Sequence, residues 1–226
     1  MKKIILSIII FTITTSAWTH VEHYSKFNYL EYELFRNNKS IGYHKYDFSR
    51  KDQILKIKSE VNFKITKLGV DLYKYFASSE EVYTNNKFLK FSSKTKQNKK
   101  EKYVNISVDA TDGNIIIDGS SYKGKTSKES IVGTWWNHEI VKAKAQISAI
   151  SGRIIEQKVI FLGKKQIEIN GKSFNALHFK FLSSDETLPD NKKLNTDIWY
   201  DAKTLVWLKA QFIKQGNWEY RLKKLN

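Results

Sequence analysis

The sequence predicts a mainly β protein, a large curved antiparallel meander of about a dozen strands that forms a half-barrel or open barrel. Three features predict this fold: regular alternation of polar and apolar residues, turn residues between the alternating stretches, and a single proline, at position 189. Proline cannot donate a backbone hydrogen bond within a sheet, so its scarcity favours long uninterrupted strands.

The stretch from Leu55 to Ile65 shows the alternation most clearly. Side chains on a strand point to opposite faces with a period of two, so this pattern predicts one wet and one buried face, with Val61 buried and Asn62 exposed. Similar alternation occurs in residues 103–110, 154–161, 174–182 and 205–213. Short polar pairs separate such stretches, and Asn-Gly and Asp-Gly pairs supply the positive φ angles that tight hairpins require. These turn signals are Asn37-Asn38, Asn85-Asn86, Asp112-Gly113, Asn170-Gly171 and Gln215-Gly216-Asn217.

Two segments depart from the alternation. Apolar residues recur at roughly helical spacing after the adjacent pair Trp135-Trp136, which predicts one short helix or loop-helix near residues 127–150. The polar run 183–194 predicts a surface loop. No stretch resembles a flexible linker, so residues 18–226 are expected to form one antiparallel β domain.

The first 17 residues have the features of an export signal. A basic start is followed by an apolar run from Ile4 to Ile13 and by small residues up to Ala17. This run is about half of the ~20 apolar residues that a membrane-spanning helix needs, so a cleaved signal peptide is predicted. We therefore expect the mature chain to begin near Trp18, to keep no integral membrane segment, and to reside in the periplasm of a Gram-negative bacterium.

Cleavage at that point would expose Trp18-Thr19-His20 as a free terminus. A terminal amine, two amide nitrogens and the imidazole of a third-position histidine can form the square-planar set that Cu(II) and Ni(II) favour. A histidine in third position by chance is the alternative, and no metal or other cofactor is predicted.

Composition narrows the set of partners. The chain contains no cysteine, which excludes disulfides, thiolate metal sites and cysteine nucleophiles. The formal net charge of +16 comes almost entirely from lysine, which lacks the planar fork that suits arginine to reading phosphates and bases. An exported protein also rarely meets nucleic acid. The positive charge is therefore interpreted mostly as solvated surface, with an anionic lipid or another anionic envelope component as the alternative, a partner that this charge would bind.

Several short features resemble a known family when they are taken in order. They are Ile41-Gly42, Val70 to Tyr75, Glu81-Val82-Tyr83, Thr134 to Asn137, Ser151-Gly152, Phe161 to Gly163 and Asp197 to Asp201. In this order they resemble the secreted bacterial family called domain of unknown function 6134, over about residues 25–223. The family has no established reaction to transfer. Its pattern is similar to that of envelope proteins with a curved antiparallel sheet, including half-barrels that carry lipid or lipoprotein.

Catalytic groups are sparse. Asp197 and Asp201 lie on one strand about 13 Å apart, which is too far for the paired carboxyls of a glycosidase. Asp201 is better explained as a turn residue, and Asp197 as a residue that orders the loop after position 194. The adjacent His138 and Glu139 suggest a remote alternative, a hydrolase in which they work with Asp197, but no nucleophile elbow or zinc spacing accompanies them.

We therefore expect a non-catalytic protein that binds or carries an apolar or amphiphilic envelope molecule on the concave face of its sheet. Aromatic side chains combine apolar area with a polar handle, so the predicted ligand-binding residues are Trp135, Trp136, Trp199 and Tyr75. The tryptophan pair has two interpretations, as core plugs or as the mouth of a cleft. Adjacent extended residues face opposite ways, so one tryptophan is expected in the core and the other at the cavity, and Trp136 is taken as the core anchor. The rival hypothesis is a structural protein that docks an envelope partner through a sheet edge or its lysine-rich surface.

Overall fold

The computed structural model describes residues 24–226, so the predicted signal peptide and the metal-binding motif at 18–20 lie outside the described residues. Fifteen strands form one sheet that curls into a nearly closed barrel, which confirms the predicted fold class. The strands are β1 Tyr29–Arg36, β2 Lys39–Lys51, β3 Ile54–Lys67, β4 Val70–Thr84, β5 Lys87–Gln97, β6 Lys100–Val108, β7 Ile115–Gly119, β8 Lys123–Thr126, β9 Ser130–Val132, β10 Ala145–Ile147, β11 Ile154–Ile169, β12 Lys172–Ser183, β13 Asn195–Asp201, β14 Trp207–Ile213 and β15 Asn217–Leu225.

The first and last strands meet in the middle of the sheet. β1 pairs with β2 on one side and with β15 on the other, and the sheet runs outward from this centre to β8 and β9. Neighbouring strands are antiparallel except β9 and β10, which are parallel. The two edge strands follow one another in the chain, and the Thr126 and Ser130 hydroxyl oxygens lie 3.2 Å apart across the short connection. The seam of the barrel is therefore local in sequence.

The alternation predicted for β3 is present. Leu55, Ile57 and Phe63 are buried, whereas Asn62 is exposed and Val61 is half-buried on the inner face. Because the side-chain period is two, this register also fixes which residues of β2 and β4 face inward. The predicted turns occur as well: paired positive φ angles are found at Asn37-Asn38, Asn85-Asn86 and Asn170-Gly171.

The long departure from alternation lies inside the barrel. We call residues 133–152 the inner segment. The predicted short helix is a single 3₁₀ turn, His138–Val141, capped by the Asn137 side chain, which accepts from the amide of Glu139. The helical spacing does not continue beyond that turn, because residues 145–147 form β10. All three residues of β10 are buried, so the strand has no exposed face and its sequence shows no alternation.

The inner segment is fixed to strands around the barrel. The Tyr200 hydroxyl donates to the Trp135 carbonyl at 3.0 Å, and the Gln157 side chain donates to the Ile140 carbonyl at 2.8 Å. On the other side, the Ser93 hydroxyl donates to the Ala149 carbonyl at 2.5 Å. The interior is thus a packed core crossed by one segment, and two cavities border that segment.

Candidate functional site

The larger cavity, of about 760 Å³, lies between the inner segment and strands β4 to β7, β9 and β10. Its walls are apolar side chains: Phe88, Ile106, Val108, Ile115, Ile131, Val132 and Ile147. Several of these belong to a small hydrophobic cluster of their own, separate from the main core. Pockets of roughly 300–1,000 Å³ with apolar walls are the usual size for sites that enclose small organic ligands.

Lysines surround the mouth of the large cavity. Lys87 follows the turn between β4 and β5, Lys128 lies in the seam between β8 and β9, and Lys142 and Lys144 follow the 3₁₀ turn; all four are exposed. Two carboxylates accompany them: Lys144 lies 2.9 Å from Glu129, and Lys142 lies 3.0 Å from Glu139. Lysines therefore outnumber carboxylates two to one at this opening, and its charge favours an anionic group.

A buried carboxylate, Glu81 of β4, lines the inner end of the same cavity and is only 3% exposed. It accepts three hydrogen bonds: from the Tyr83 hydroxyl at 2.5 Å, from the Trp136 indole nitrogen at 2.9 Å and from the Thr134 hydroxyl at 3.3 Å. Asn137 in turn donates to the Tyr83 hydroxyl at 3.2 Å. Burial raises the pKa of Glu81, because the carboxylate loses its hydration, while the three donors act in the opposite direction.

This network explains the sequence of the inner segment at its start. The carboxyl of Glu81 accepts hydrogen bonds from the side chains of Thr134 and Trp136. The side chain of Asn137 donates to Tyr83, which is the third donor to that carboxyl. Buried polar groups need such partners, since an unpaired one costs free energy. Glu81 therefore fixes the inner segment against β4 and sets the position of one wall of the large cavity.

A smaller cavity, of about 180 Å³, lies on the other side of Trp135. Trp135 is half-buried, and its ring centroid lies 5.2 Å from that of Trp207 and 5.4 Å from that of Tyr220. Tyr75 and His44 also line this cavity. Burial lowers the pKa of His44 from 6.5 to about 3, so the imidazole is neutral near pH 7.

The predicted ligand-binding residues therefore fall in three places. Trp135 and Tyr75 line the small cavity. Trp136 is 1% exposed and packs in the core, its ring centroid 5.3 Å from that of Tyr24. Trp199 lies on the outer face of β13, where it stacks on His178 with ring centroids 4.2 Å apart and Lys209 covers it. Trp199 thus lines neither of the two cavities.

The residues of the hydrolase alternative do not converge. The His138 Nε2 and Glu139 Oε1 atoms lie 3.2 Å apart in the 3₁₀ turn of the inner segment. Asp197 is on the outer face, where its carboxylate lies 2.8 Å from the His178 ring and accepts from Lys180 at 2.6 Å. Asp197 therefore braces β13 against β12, and the expectation that it orders the preceding loop is wrong. Asp201 is a turn residue as predicted, since its carboxylate accepts from the amide and hydroxyl of Thr204.

Within residues 24–226, no group of three or more histidine, aspartate or glutamate side chains is arranged to hold a metal ion. The same residues include no helix long and apolar enough to cross a membrane.

Sequence reasoning missed Glu81 and the four lysines of the mouth. A signal for Glu81 was present, because it shares the inward parity of β4 with Tyr75 and Tyr83. A charged side chain that faces the interior of the barrel needs hydrogen-bond partners there. The lysines carried no local signal, since they come from three separate stretches that only the folded barrel brings together.

A solved structure with a related fold exists. A β-barrel-like protein of domain of unknown function DUF1849 from Brucella abortus superposes with a TM-score of 0.61, at 11% identity, over 88% of this chain and 96% of that chain. A DUF1329 family protein from Desulfovibrio piger aligns over 92% of this chain and 90% of that one, with a TM-score of 0.23 and 8% identity. No protein of curated function matches the sequence. The family defined as Domain of unknown function (DUF6134) matches residues 32–223, nearly the whole described chain, and the protein belongs to that family.

Proposed function

We propose that this chain is an exported, non-catalytic protein that binds an amphiphile with an anionic head group in the large cavity. One observation supports this most strongly: a space of about 760 Å³ has apolar walls at depth and four lysines at its mouth. An acyl or similar apolar chain fits the first property and an acidic head group the second. Removal of apolar surface from water provides the main driving force for such binding.

The rival hypothesis, docking of a partner strand at a sheet edge, has less support. The edge strands β8 and β9 have only four and three residues, and they adjoin each other at the seam. Short edge strands offer few unpaired backbone groups to an incoming strand. The lysine-rich surface remains available to an anionic envelope component, and the mouth of the large cavity is one part of it.

Filling each cavity separately tests the proposal. Ala143 lines the large cavity and Ala77 lines the small one, and both are half-buried. Ala143→Trp should lower the affinity for a fluorescent fatty-acid probe at least about tenfold, because the ring occupies the site. Ala77→Trp is the matched control and should leave the affinity unchanged. Equal affinity for the two variants, or no uptake by the wild type, would contradict the proposal.

The head-group preference needs a second pair of measurements. Lys87→Glu and Lys128→Glu should each weaken binding of the anionic probe and leave binding of a neutral alcohol of the same chain length unchanged. The effect should diminish as salt is added, because exposed charges are screened. Equal loss for both probes would show that the lysines act only through the fold.

Export is a separate part of the proposal. Cell fractionation should recover the protein in the periplasm, and terminal sequencing should find a start near Trp18. An intact Met1 on the recovered protein would contradict it.

A further inference from the structure

The hairpin of β3 and β4 projects from one end of the barrel. Its two strands pair as far as Lys67 and Val70, whereas β2 leaves β3 at Phe63 and β5 leaves β4 at Tyr75. The tip at Leu68-Gly69 therefore lies about five residues, or roughly 16 Å, beyond the last shared pairing. We call residues 64–74 the projecting hairpin.

Apolar side chains are exposed along the projecting hairpin. Leu68 is 94% exposed, Val70 61% and Leu72 56%. Leu68 also has a φ angle of 51°, and the following Gly69 has 78°, which defines a tight turn that strongly favours asparagine or glycine. Three other turns with paired positive φ angles begin with asparagine, at 37, 85 and 170. A leucine here gains nothing from burial within the chain and has an unfavourable backbone conformation.

Lysines flank these apolar residues. Lys64, Lys67 and Lys74 belong to the projecting hairpin, and Asp71 lies 3.7 Å from Lys64 and 3.2 Å from Lys74. A second apolar tip lies at the same end of the barrel: Ile213 is 82% exposed and is followed by Lys214. Pairing of β15 with β1 places that tip next to the turn at 37–38.

We propose that this end of the barrel docks on an anionic lipid surface, with Leu68, Val70 and Leu72 entering the head-group region. Two contributions drive binding at a membrane interface: burial of apolar area and attraction to acidic head groups. The exposed apolar tips supply the first contribution and the lysines beside them supply the second. The charge selects this occupant over an uncharged apolar partner. The mouth of the large cavity lies at the opposite end, beside the turns at 85–86 and 110–113, so docking leaves it open to solvent.

The full mature chain can be tested by flotation with vesicles of phosphatidylcholine alone and of phosphatidylcholine mixed with phosphatidylglycerol. The wild type should bind the mixed vesicles, and binding should fall as salt is raised. Leu68→Asn should weaken binding about tenfold or more, since burial of a leucine is lost. Its melting temperature should not fall, because Asn-Gly is the preferred pair for this turn.

Leu89→Asn is the matched control: Leu89 is 47% exposed at the other end of β5, and its replacement should leave binding unchanged. Lys67→Glu should weaken binding to the mixed vesicles only. The proposal is overturned if the wild type binds neither vesicle, or if Leu68→Asn binds as well as the wild type. It is also overturned if Leu68 instead mediates self-association, seen as a concentration-dependent mass that Leu68→Asn abolishes.

Discussion

Acid should destabilise the protein through His44, which lies on the inner face of β2. Its Nε2 atom is 2.9 Å from the Ser59 hydroxyl, and the ring packs 4.3 Å from Tyr46 and 6.1 Å from Trp207, measured between centroids. Burial lowers its pKa from 6.5 to about 3. The folded protein therefore holds the imidazole neutral in a pH range where the unfolded chain protonates it.

This difference in pKa sets the direction and the magnitude of the change in the free energy of unfolding with pH. Between pH 6.5 and pH 3 the unfolded state binds more protons, so the free energy of unfolding falls as the pH falls. From pH 7 to pH 4.5 the loss attributable to His44 is about 2 to 3 kcal/mol, since one pKa unit corresponds to about 1.4 kcal/mol. Water in the small cavity, which one edge of the ring faces, would reduce this value.

Urea unfolding of the wild type and of His44→Gln at both pH values measures the contribution. Glutamine stays neutral and can still reach Ser59, and subtracting the variant from the wild type cancels the titration of the carboxylates. The wild type should lose about 2 to 3 kcal/mol more than the variant on acidification. An equal loss in the two proteins would show that the imidazole is solvated and that the interior around it is not packed as described.

Three further comparisons, made with five substitutions, test the interior by urea unfolding. Trp136→Ala should lower the free energy of unfolding by about 3–5 kcal/mol, and Trp135→Ala should lower it clearly less, because only Trp136 is fully buried. Equal losses would contradict the placement of Trp136 in the core and of Trp135 at the small cavity. The stability of the wild type relative to that of Glu81→Gln should decline as pH rises above the ordinary glutamate pKa, because the raised pKa of Glu81 makes the folded state hold its proton longer. Val61→Asp should cost several kcal/mol and Asn62→Asp about 0.5 or less; similar shifts would mean that the register of β3 is wrong.

The fold could be predicted where a strand has one face buried in the barrel and one face exposed to solvent. β3 shows this, because its inward and outward residues differ in polarity at nearly every step. β10 could not be predicted, since Ala145, Gln146 and Ile147 are all buried and give no period of two. The turn at Leu68-Gly69 was also missed, because leucine does not normally occupy a positive φ angle.

The site was less predictable than the fold. Trp135 and Tyr75 could be selected as aromatic residues and do line a cavity, but the larger cavity is bounded by residues from separate strands. Trp199 shares the parity of Asp197, which pointed to the outer face. Its aromatic character suggested the concave face instead, and its burial comes from His178 and Lys209 covering it from outside.

Mass spectrometry of the intact protein, purified without detergent from its native cells, tests the central claim most directly. The purified protein should carry one amphiphile with an acidic head group per chain, which Ala77→Trp should retain and Ala143→Trp should lose. A wild-type protein that carries the mass of the bare polypeptide, and that takes up no acidic amphiphile when supplied with one, would contradict it.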